Sequence, residues 1–365
     1  MQVPFVDLRV RHDEDRQELL ACIERVLGAG QLIGGPSVAT FEAAAAAFVG
    51  VRRVVGVNSG TDALMLAMWS LGIGKGDEVI TTPISFVATV ASIAHIGARP
   101  VLVDVDDDQH LDPAKLEAAI TPRTRAIIPV HWGGRVADME HIGAIARAHG
   151  IAVIEDAAQA MGAERGGRRA GSFGDLAAFS AHPLKPLAAL GDGGYLALDD
   201  ADRADRIACY RSHGLVSRDD CAMFGVNSRL DALHAAVLEL RLRALPALLD
   251  ARRRQVAQYR ELLGDLPLGL PTLRDDERPA WSFFNVRTPR RAELRAFLLE
   301  RGVETLVYYG TALHLHPAAA ALGYARGAFP VAERQCDEVL ALPCNPGVTG
   351  EQLAYVASSV RAVYR

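Results

Sequence analysis

The chain has 365 residues, enough for two domains, and 50% of them are hydrophobic, so a large core is possible. Its net charge of −5 argues against binding to nucleic acid or anionic membranes, and no apolar run reaches membrane-spanning length. Five scattered cysteines form no CxxC or Cys/His cluster, which predicts a reducing cytoplasm and no structural zinc or other metal site.

The N-terminal segment, Met1-Gln2-Val3-Pro4-Phe5-Val6-Asp7, has no basic region followed by an apolar core. We therefore expect no signal peptide and a cytoplasmic protein. An amphipathic helix is predicted over about 12–28. Glycines then interrupt the pattern before an alanine-rich helix at about 37–48.

Short apolar segments rich in β-branched residues alternate with helical segments over the next part of the chain. The predicted strands are 54–57, 79–82, 100–105, 126–131, 151–154, 176–179 and 194–198. This alternation indicates a mainly parallel sheet with right-handed crossovers. Ligands of such α/β sheets bind beyond the carboxyl ends of the strands.

The remainder of the chain follows a different pattern. A long helix is predicted at about 231–262, with Pro246 as a candidate break. The segments beyond it that predict a small α+β unit are 282–288, 291–301, 304–309, 331–340 and 350–364. We therefore predict a large sheet domain with the N-terminal helices over 1–245 and a small C-terminal α+β domain over 246–365.

Two predicted strand ends carry reactive side chains. Glu155 and Asp156 end one buried strand, and Lys185 follows another apolar segment. A buried carboxylate and a lone lysine at neighbouring strand ends indicate pyridoxal phosphate (PLP). The lysine would hold the aldehyde as a Schiff base, and the acid would keep the ring nitrogen protonated.

Each of these assignments has a structural alternative. Lys185 would ordinarily be a surface lysine, but the segment 176–198 holds almost no other basic residue, and desolvation there would free its amine. Asp156 would otherwise cap a helix, and Glu155 competes with it because alternation turns only one of the two towards the site. We favour Asp156 because Gln159 lies just beyond it, within reach of the cofactor's ring hydroxyl.

Other candidates are weaker when taken alone. The turn Asn58-Ser59-Gly60-Thr61 opens a helix and can bind phosphate, although a plain capped helix explains it equally well. Phe86 is a ring-stacking or a core residue, and Asn227 after a glycine is typical of a turn. Five histidines are candidate metal ligands or general bases, although a structural role is favoured for most of them: His131, His182, His213, His314 and His316.

Motifs of other enzyme classes are missing from the sequence. It contains no GxSxG nucleophile elbow and no Walker GxxxxGK[ST] loop. The glycine cluster at 191–194 lacks the GxGxxG spacing of a dinucleotide site.

Nine segments together form a specific pattern: 4–8, 34–36 with 41–42, 58–64, 86–89, 129–131, 155–160, 191–194, 225–229 and 329–333. Their residues, order and spacing resemble the DegT/DnrJ/StrS aminotransferases, the sugar aminotransferases of PLP fold type I (aspartate aminotransferase-like). The resemblance covers nearly the whole chain. It implies an α/β fold with a large mainly parallel sheet domain, flanking helices and a small C-terminal domain.

The resemblance also implies roles for matching positions. Lys185 looks like the Schiff-base lysine, Asp156 the partner of the ring nitrogen, and Gln159 the residue near the ring hydroxyl. The other cofactor positions are Phe86 for stacking and Gly60, Thr61 and Ser180 for the phosphate. Asn227 matches a phosphate contact that the family supplies from the neighbouring subunit, which implies a homodimer with shared sites. Tyr308, Tyr309 and His314 lie where relatives have substrate-side residues.

The lysine motif departs from the family pattern at two positions. Leu184 stands where many members have a small hydroxyl residue, which removes one polar contact to the cofactor, and His182 is an unusual neighbour. Relatives that replace the lysine by histidine are sugar dehydratases. Lys185 therefore disfavours that branch.

The resemblance implies a PLP-dependent aminotransferase that passes through the amine form of the cofactor (PMP). It takes the amino group from L-glutamate, with L-glutamine as the main competitor, and gives it to a keto sugar. The acceptor we expect is a nucleotide-linked 3-keto (or 4-keto) deoxysugar in amino-sugar or antibiotic biosynthesis. The alternatives are a keto-cyclitol or aminoglycoside intermediate, a PLP-dependent sugar dehydratase, and a non-catalytic PLP-binding regulatory protein.

Overall fold

A seven-stranded sheet forms the centre of the computed structural model, which describes residues 1–8 and 16–364. The strand order is β1-β9-β8-β5-β4-β2-β3. The bounds are β1 Arg53–Val57, β2 Glu78–Thr81, β3 Arg99–Leu102, β4 Thr124–Ile127, β5 Ala152–Asp156, β8 Leu176–Ser180 and β9 Gly194–Leu198. Strand β9 is antiparallel to both its neighbours, whereas the pairs from β8 through β3 are parallel. The predicted, mainly parallel sheet is confirmed.

Helices cover both faces of this sheet. Their bounds are α1 Arg16–Ala29, α2 Gly35–Val49, α3 Gly60–Ser70, α4 Val87–His95, α5 Met139–His149, α6 Ala201–Tyr210 and α7 Ala232–Leu263. The predicted start of the first helix at residue 12 lies outside the described residues. Along β5, Val153 packs in one buried cluster and Ile154 in another. Alternating side chains thus give the sheet a hydrophobic core on each face.

A second, smaller unit follows α7. Its helices and strands are β11 Phe284–Arg287, α8 Arg291–Glu300, α9 Pro330–Glu338, β12 Val339–Leu342 and α10 Gly350–Val363. Strands β11 and β12 pair antiparallel over a separate hydrophobic cluster, to which the N-terminal Val3 also contributes. Short strands β6 Glu164–Arg165, β7 Arg168–Arg169 and β10 Glu277–Arg278 form a small third sheet.

One local prediction, the candidate break at Pro246, is wrong. Helix α7 runs through Pro246 without a break. Buried Leu242, Leu245 and Leu249 hold both sides of the proline against the core, and their burial offsets the roughly 3 kcal/mol that an interior proline costs. In the C-terminal unit, residues 304–309 contribute an isolated bridge, from Leu306 to Ala341, and β11 pairs with β12.

The domain boundary at 245/246 stays a prediction, and it falls inside α7. Across residues 1–8 and 16–364, no helix is both long and apolar enough to cross a membrane.

Candidate active site

A cavity of about 340 Å³ opens at the carboxyl ends of the sheet strands. The residues that line it include Ser59, Gly60, Thr61, Phe86, Thr89, Asp156, Gln159, Ser180, Lys185, Tyr308 and Tyr309. Most come from strand ends and the helices that follow them, and the two tyrosines come from the C-terminal unit. The cavity lies where α/β sheets bind their ligands.

Asp156 forms the end of β5 and is buried at the base of this cavity. The Thr89 hydroxyl donates to its Oδ2 over 2.7 Å, and the Ala158 N–H donates to its Oδ1 over 3.2 Å. Thr89 has one proton to give, so Ser85, 2.7 Å away, donates to Thr89 in turn. Burial raises the pKa of Asp156, against the lowering effect of these donors and of the Lys185 charge.

Lys185 enters the same cavity from the loop after β8. A turn closed by the Lys185 N–H on the carbonyl oxygen of His182, 2.8 Å, shapes this loop. Burial lowers the pKa of the Lys185 amine, and the negative charge of Asp156 raises it by less. Desolvation thus favours an uncharged, nucleophilic amine.

The start of α3 borders the other end of the cavity. Ser59 caps the helix by accepting from the Asp62 N–H, and Gly60 and Thr61 form its first turn. A Cβ on Gly60 would lie 2.9 Å from the Cβ of Ser180, so only glycine allows β8 to approach this closely. The unpaired N–H groups of a helix start bind anions, and phosphate in particular.

Ser180 adds a hydroxyl to this anion site. Its Oγ accepts the His182 N–H over 3.3 Å, so its own O–H is available to donate towards the cavity.

Gln159 is buried, and a hydrogen bond to its side-chain oxygen fixes its orientation. The Gly133 N–H donates to its Oε1 over 2.8 Å, so its NH₂ group is the end with protons to give a ligand. Its backbone carbonyl oxygen accepts from the Ser282 hydroxyl over 2.6 Å. This bond ties the loop after β5 to the segment that carries Phe283.

Aromatic rings enclose one side of the cavity. Phe86 is 52% exposed, and its ring centre lies 6.0 Å from that of Tyr309. Tyr308 stacks on Phe283 at 4.7 Å, and Trp132 meets Phe283 and Tyr309 edge to face at 5.3 Å and 5.6 Å. We call these five rings the aromatic wall. Burial raises the pKa of both tyrosines, so both phenols stay protonated and can donate.

Glu155, the rival carboxylate, lies on the opposite side of β5 and does not line the cavity. It accepts one N–H each from Gly171, Phe173 and Gly174 at 2.7 Å, and His131 Nε2 at 2.8 Å. His131 Nδ1 accepts the Ala137 N–H, which places the histidine proton on Nε2. The pair is fully buried and is structural in its contacts.

Two predicted site residues lie outside the cavity. His314 is buried and bonded to Glu333 over 2.9 Å, and it is not among the lining residues. Asn227 is exposed, with its oxygen accepting from Arg229. His182 and Leu184, the two departures in the lysine motif, both line the cavity. Within the described residues, no group of three or more His, Cys, Asp or Glu is arranged to hold a metal.

Sequence reasoning missed Thr89, Ser85 and the wall residues Trp132 and Phe283. Thr89 follows Phe86 by three residues at the start of α4, so helical spacing from the predicted stacking residue was the available signal. Trp132 and Phe283 are far apart in the chain, and no local pattern brings them together.

Comparison with known proteins identifies the same family over nearly the whole chain. The profile of the DegT/DnrJ/EryC1/StrS aminotransferase family matches residues 13–361. A dTDP-3-amino-3,4,6-trideoxy-alpha-D-glucose transaminase of Streptomyces venezuelae is 43% identical, over 99% of this chain and 96% of its own.

Two solved structures extend the likeness to three dimensions. The crystal structure of S. venezuelae DesV in complex with a ketimine intermediate has a TM-score of 0.98 at 43% identity, covering 100% of this chain and 99% of that one. NtdA from Bacillus subtilis with bound cofactor PMP has a TM-score of 0.93 at 31% identity, covering 100% of this chain and 85% of that one. The predicted fold class is thereby confirmed, and this chain belongs to the DegT/DnrJ/EryC1/StrS aminotransferase family.

Proposed function

We propose that this protein is a PLP-dependent aminotransferase that transfers an amino group from L-glutamate, or L-glutamine, to a nucleotide-linked keto sugar. The observation that carries the proposal is the pairing of Lys185 and Asp156 in one cavity that also opens on the N-terminus of α3. The dTDP-sugar substrate named for the S. venezuelae relative supports a 3-keto (or 4-keto) deoxysugar as acceptor, in amino-sugar or antibiotic biosynthesis.

The residues present fit PLP at each of its functional groups. The α3 start with Gly60, Thr61 and Ser180 suits the phosphate, and the buried Asp156 suits the ring nitrogen. The Gln159 NH₂ group is free to meet the ring hydroxyl, and the half-exposed Phe86 ring offers a stacking surface. Leu184 borders the cavity without offering a polar contact.

When bound, PLP supplies an aldehyde that captures amino groups and a ring that accepts electrons. The Lys185 amine would hold the aldehyde as a Schiff base, and burial favours the uncharged, nucleophilic form of this amine. Once the donor is bound, Lys185 Nζ would take the proton from the α-carbon of the donor, as a general base whose pKa is lowered by burial, and would pass that proton on to the cofactor. The same amine returns a proton when the keto sugar receives the amino group.

Asp156 keeps the ring nitrogen protonated. Burial disfavours the Asp156 carboxylate, which would gain a positive partner from a protonated ring nitrogen, and each charge would stabilise the other. Thr89 and the Ala158 N–H hold the carboxylate in place. The Tyr308 and Tyr309 hydroxyls of the aromatic wall are the groups we assign to the sugar.

We also propose a homodimer in which Asn227 completes the phosphate site of the partner subunit. Asn227 is exposed, and it lies in a segment with several exposed apolar side chains, among them Phe224 at 96% exposure. Exposed apolar surface of this kind is typical of an interface. His314 is left out of the proposed site because it does not reach the cavity.

The absorbance spectrum of the purified protein with PLP, before and after L-glutamate, tests the proposal. We expect a visible band from the lysine-bound cofactor that falls as the near-ultraviolet band of the amine form grows. A band that ignores both glutamate and glutamine, together with loss of water from a keto sugar, would favour the dehydratase. A protein that binds PLP but reacts with neither would favour a regulatory role.

A further inference from the structure

Two hydroxyl groups extend the contacts of Asp156 to the start of α4. Ser85 precedes this helix, and Thr89 lies in its first turn, four residues later. The two side-chain oxygens are 2.7 Å apart, and the Thr89 hydroxyl donates to Asp156 Oδ2 over 2.7 Å. The three residues are 3%, 1% and 5% exposed. They therefore form a buried chain of hydrogen bonds, which we call the hydroxyl relay.

The number of protons gives the hydroxyl relay a direction. Each hydroxyl has one proton to donate. When Asp156 is ionised it accepts the Thr89 proton, so Thr89 in turn accepts from Ser85. Within residues 1–8 and 16–364, the Ser85 hydroxyl has no second protein partner that would compete for its proton. Successive hydrogen bonds of this kind polarise and strengthen one another.

Thr89 is the main group that stabilises the charge of Asp156. Burial raises the pKa of this carboxyl, and the Thr89 hydroxyl lowers it more than any other neighbour does. The neighbours with smaller lowering effects are the Ala158 N–H, the Lys185 amine and the His131 ring. Tyr309 also faces the carboxylate, but its phenol stays protonated because burial raises its pKa. A group that acts on the Thr89 hydroxyl therefore acts on the charge of Asp156.

We propose that Ser85 is a positioning residue for Asp156, because its donation to Thr89 directs the Thr89 proton to the carboxylate and so stabilises the ionised form. Without Ser85, the Thr89 oxygen loses the donor that fixes this direction. Ser85 lines the active-site cavity but is not hydrogen-bonded to Asp156, so it acts through Thr89. The inference deepens the proposed function, and it rests on that function only where PLP is concerned.

The pH dependence of unfolding follows the charge of Asp156 without any cofactor. Because burial raises the pKa of Asp156 above its ordinary 3.8, the folded chain binds more protons than the unfolded chain between these two values. Stability falls as pH rises through this window. Thr89→Val, which removes the hydroxyl but keeps the shape, should move the upper end of the fall up by about one pH unit, as expected for one hydrogen bond to a charged group. Ser85→Ala should move it in the same direction by less, and Thr89→Ser should restore the parent profile.

A double variant separates the hydroxyl relay from a direct effect of Ser85. Since Ser85 acts through Thr89, adding Ser85→Ala to Thr89→Val should leave the profile of Thr89→Val unchanged. The matched control is Ser92→Ala, in the same helix, because the buried Ser92 hydroxyl donates to the backbone carbonyl oxygen of Thr89 and should not affect the profile. An unshifted profile for Ser85→Ala, or full additivity of the two changes, would overturn the proposal.

Titration of the same proteins with PLP over a range of pH gives a second measurement. A protonated ring nitrogen needs an ionised Asp156, so PLP affinity should fall as pH is lowered through the pKa of this carboxyl. The midpoint of that fall should lie higher in Ser85→Ala and Thr89→Val than in the parent. Unshifted midpoints in both variants would overturn the role of Ser85. Failure of the parent itself to bind PLP would refute the proposed function, and the stability profiles then decide the role of Ser85.

Discussion

The two faces of β5 present two carboxylates from adjacent residues in different surroundings. Glu155 is enclosed by donors from the 171–174 turn and from His131, and it does not line the active-site cavity. Asp156 receives one hydroxyl and one backbone N–H, and its side of the strand opens on the cavity. A carboxylate offers about four acceptor positions. Glu155 uses all of them within the protein, whereas Asp156 keeps some for a ligand.

This difference separates a structural acid from a reactive one. Three backbone N–H groups and the His131 ring nitrogen occupy the oxygens of Glu155, so the protein itself supplies its hydrogen-bond partners. Asp156 lacks that many donors, and burial raises its pKa. A positively charged partner in the cavity would therefore stabilise Asp156 strongly and Glu155 very little.

The largest expected effect on turnover comes from Lys185, which lines the cavity together with Asp156. Lys185→Ala should reduce transamination by about 10⁴-fold, the upper range for a positioned proton-transfer group. Only two other lysines exist in the chain, Lys75 and Lys115. Borohydride reduction of the PLP-loaded protein followed by peptide mapping should place the cofactor on Lys185, and Lys75→Ala and Lys115→Ala should leave labelling unchanged. Label on either control would refute the assignment.

Asp156→Asn tests the carboxylate on the side of β5 that faces the cavity. The amide keeps an acceptor for the Thr89 hydroxyl but cannot hold the ring nitrogen protonated. We expect turnover to fall by about 10²–10³-fold, as for the loss of one electrostatic group in an active site. The unfolding midpoint of the cofactor-free protein should change little, because no ionised group remains to be desolvated. A turnover close to the parent value would show that Asp156 does not act on the ring.

Glu155→Gln is the matched change on the side of β5 that faces away from the cavity. The new NH₂ group would confront N–H donors and leave at least one of them unsatisfied. We expect the free energy of unfolding to fall by about 1–3 kcal/mol, while the folded variant keeps its absorbance bands. Urea unfolding and the spectrum, measured on one preparation, separate the two effects. A change in the absorbance spectrum without a change in stability would contradict a purely structural role for Glu155.

The lowered pKa of Lys185 predicts a pH-dependent stability. Between that lowered value and the ordinary 10.5, the unfolded chain binds one more proton than the folded chain. The stability of the cofactor-free protein should therefore rise with pH across this window, by at most about 1.4 kcal/mol per pH unit. Lys185→Met should lack this increment when both proteins are unfolded at a series of pH values from neutral to alkaline. Parallel profiles would contradict burial of the amine.

The smallest expected effect is at Phe86. Phe86→Leu should weaken PLP binding several-fold, because stacking contributes about 0.5–1.5 kcal/mol beyond burial. Phe297→Leu, in α8 and outside the cavity, should leave affinity unchanged. Titration of the cofactor-free proteins with PLP measures both.

Local patterns in the sequence predicted the parallel sheet and the reactive strand ends. Both predictions depend on local hydrophobic patterns, such as the apolar run before Asp156, which are typical of a buried strand. Alternation alone, however, could not say which of Glu155 and Asp156 faces the cavity. That choice depends on the 171–174 turn, which reaches β5 only after folding.

The C-terminal unit was harder to predict for the same reason. The stretch 339–342 follows a helix directly and is apolar throughout, so its period does not distinguish a strand from the end of that helix. Only pairing with β11 settles it. The place of His314 was likewise decided by Glu333, which lies 19 positions along the chain.

The unbroken helix α7 imposes a phase relation between the two parts of the molecule. Its first half inserts Leu238, Leu242 and Leu245 into one core, and its second half inserts Val256 and Tyr259 into another. Successive residues of an α-helix are rotated by about 100° around the helix axis. A single residue inserted between the halves would rotate the second set of side chains off its core and swing the wall tyrosines relative to Lys185. Any chimera joined inside α7 must therefore preserve the residue count of the helix.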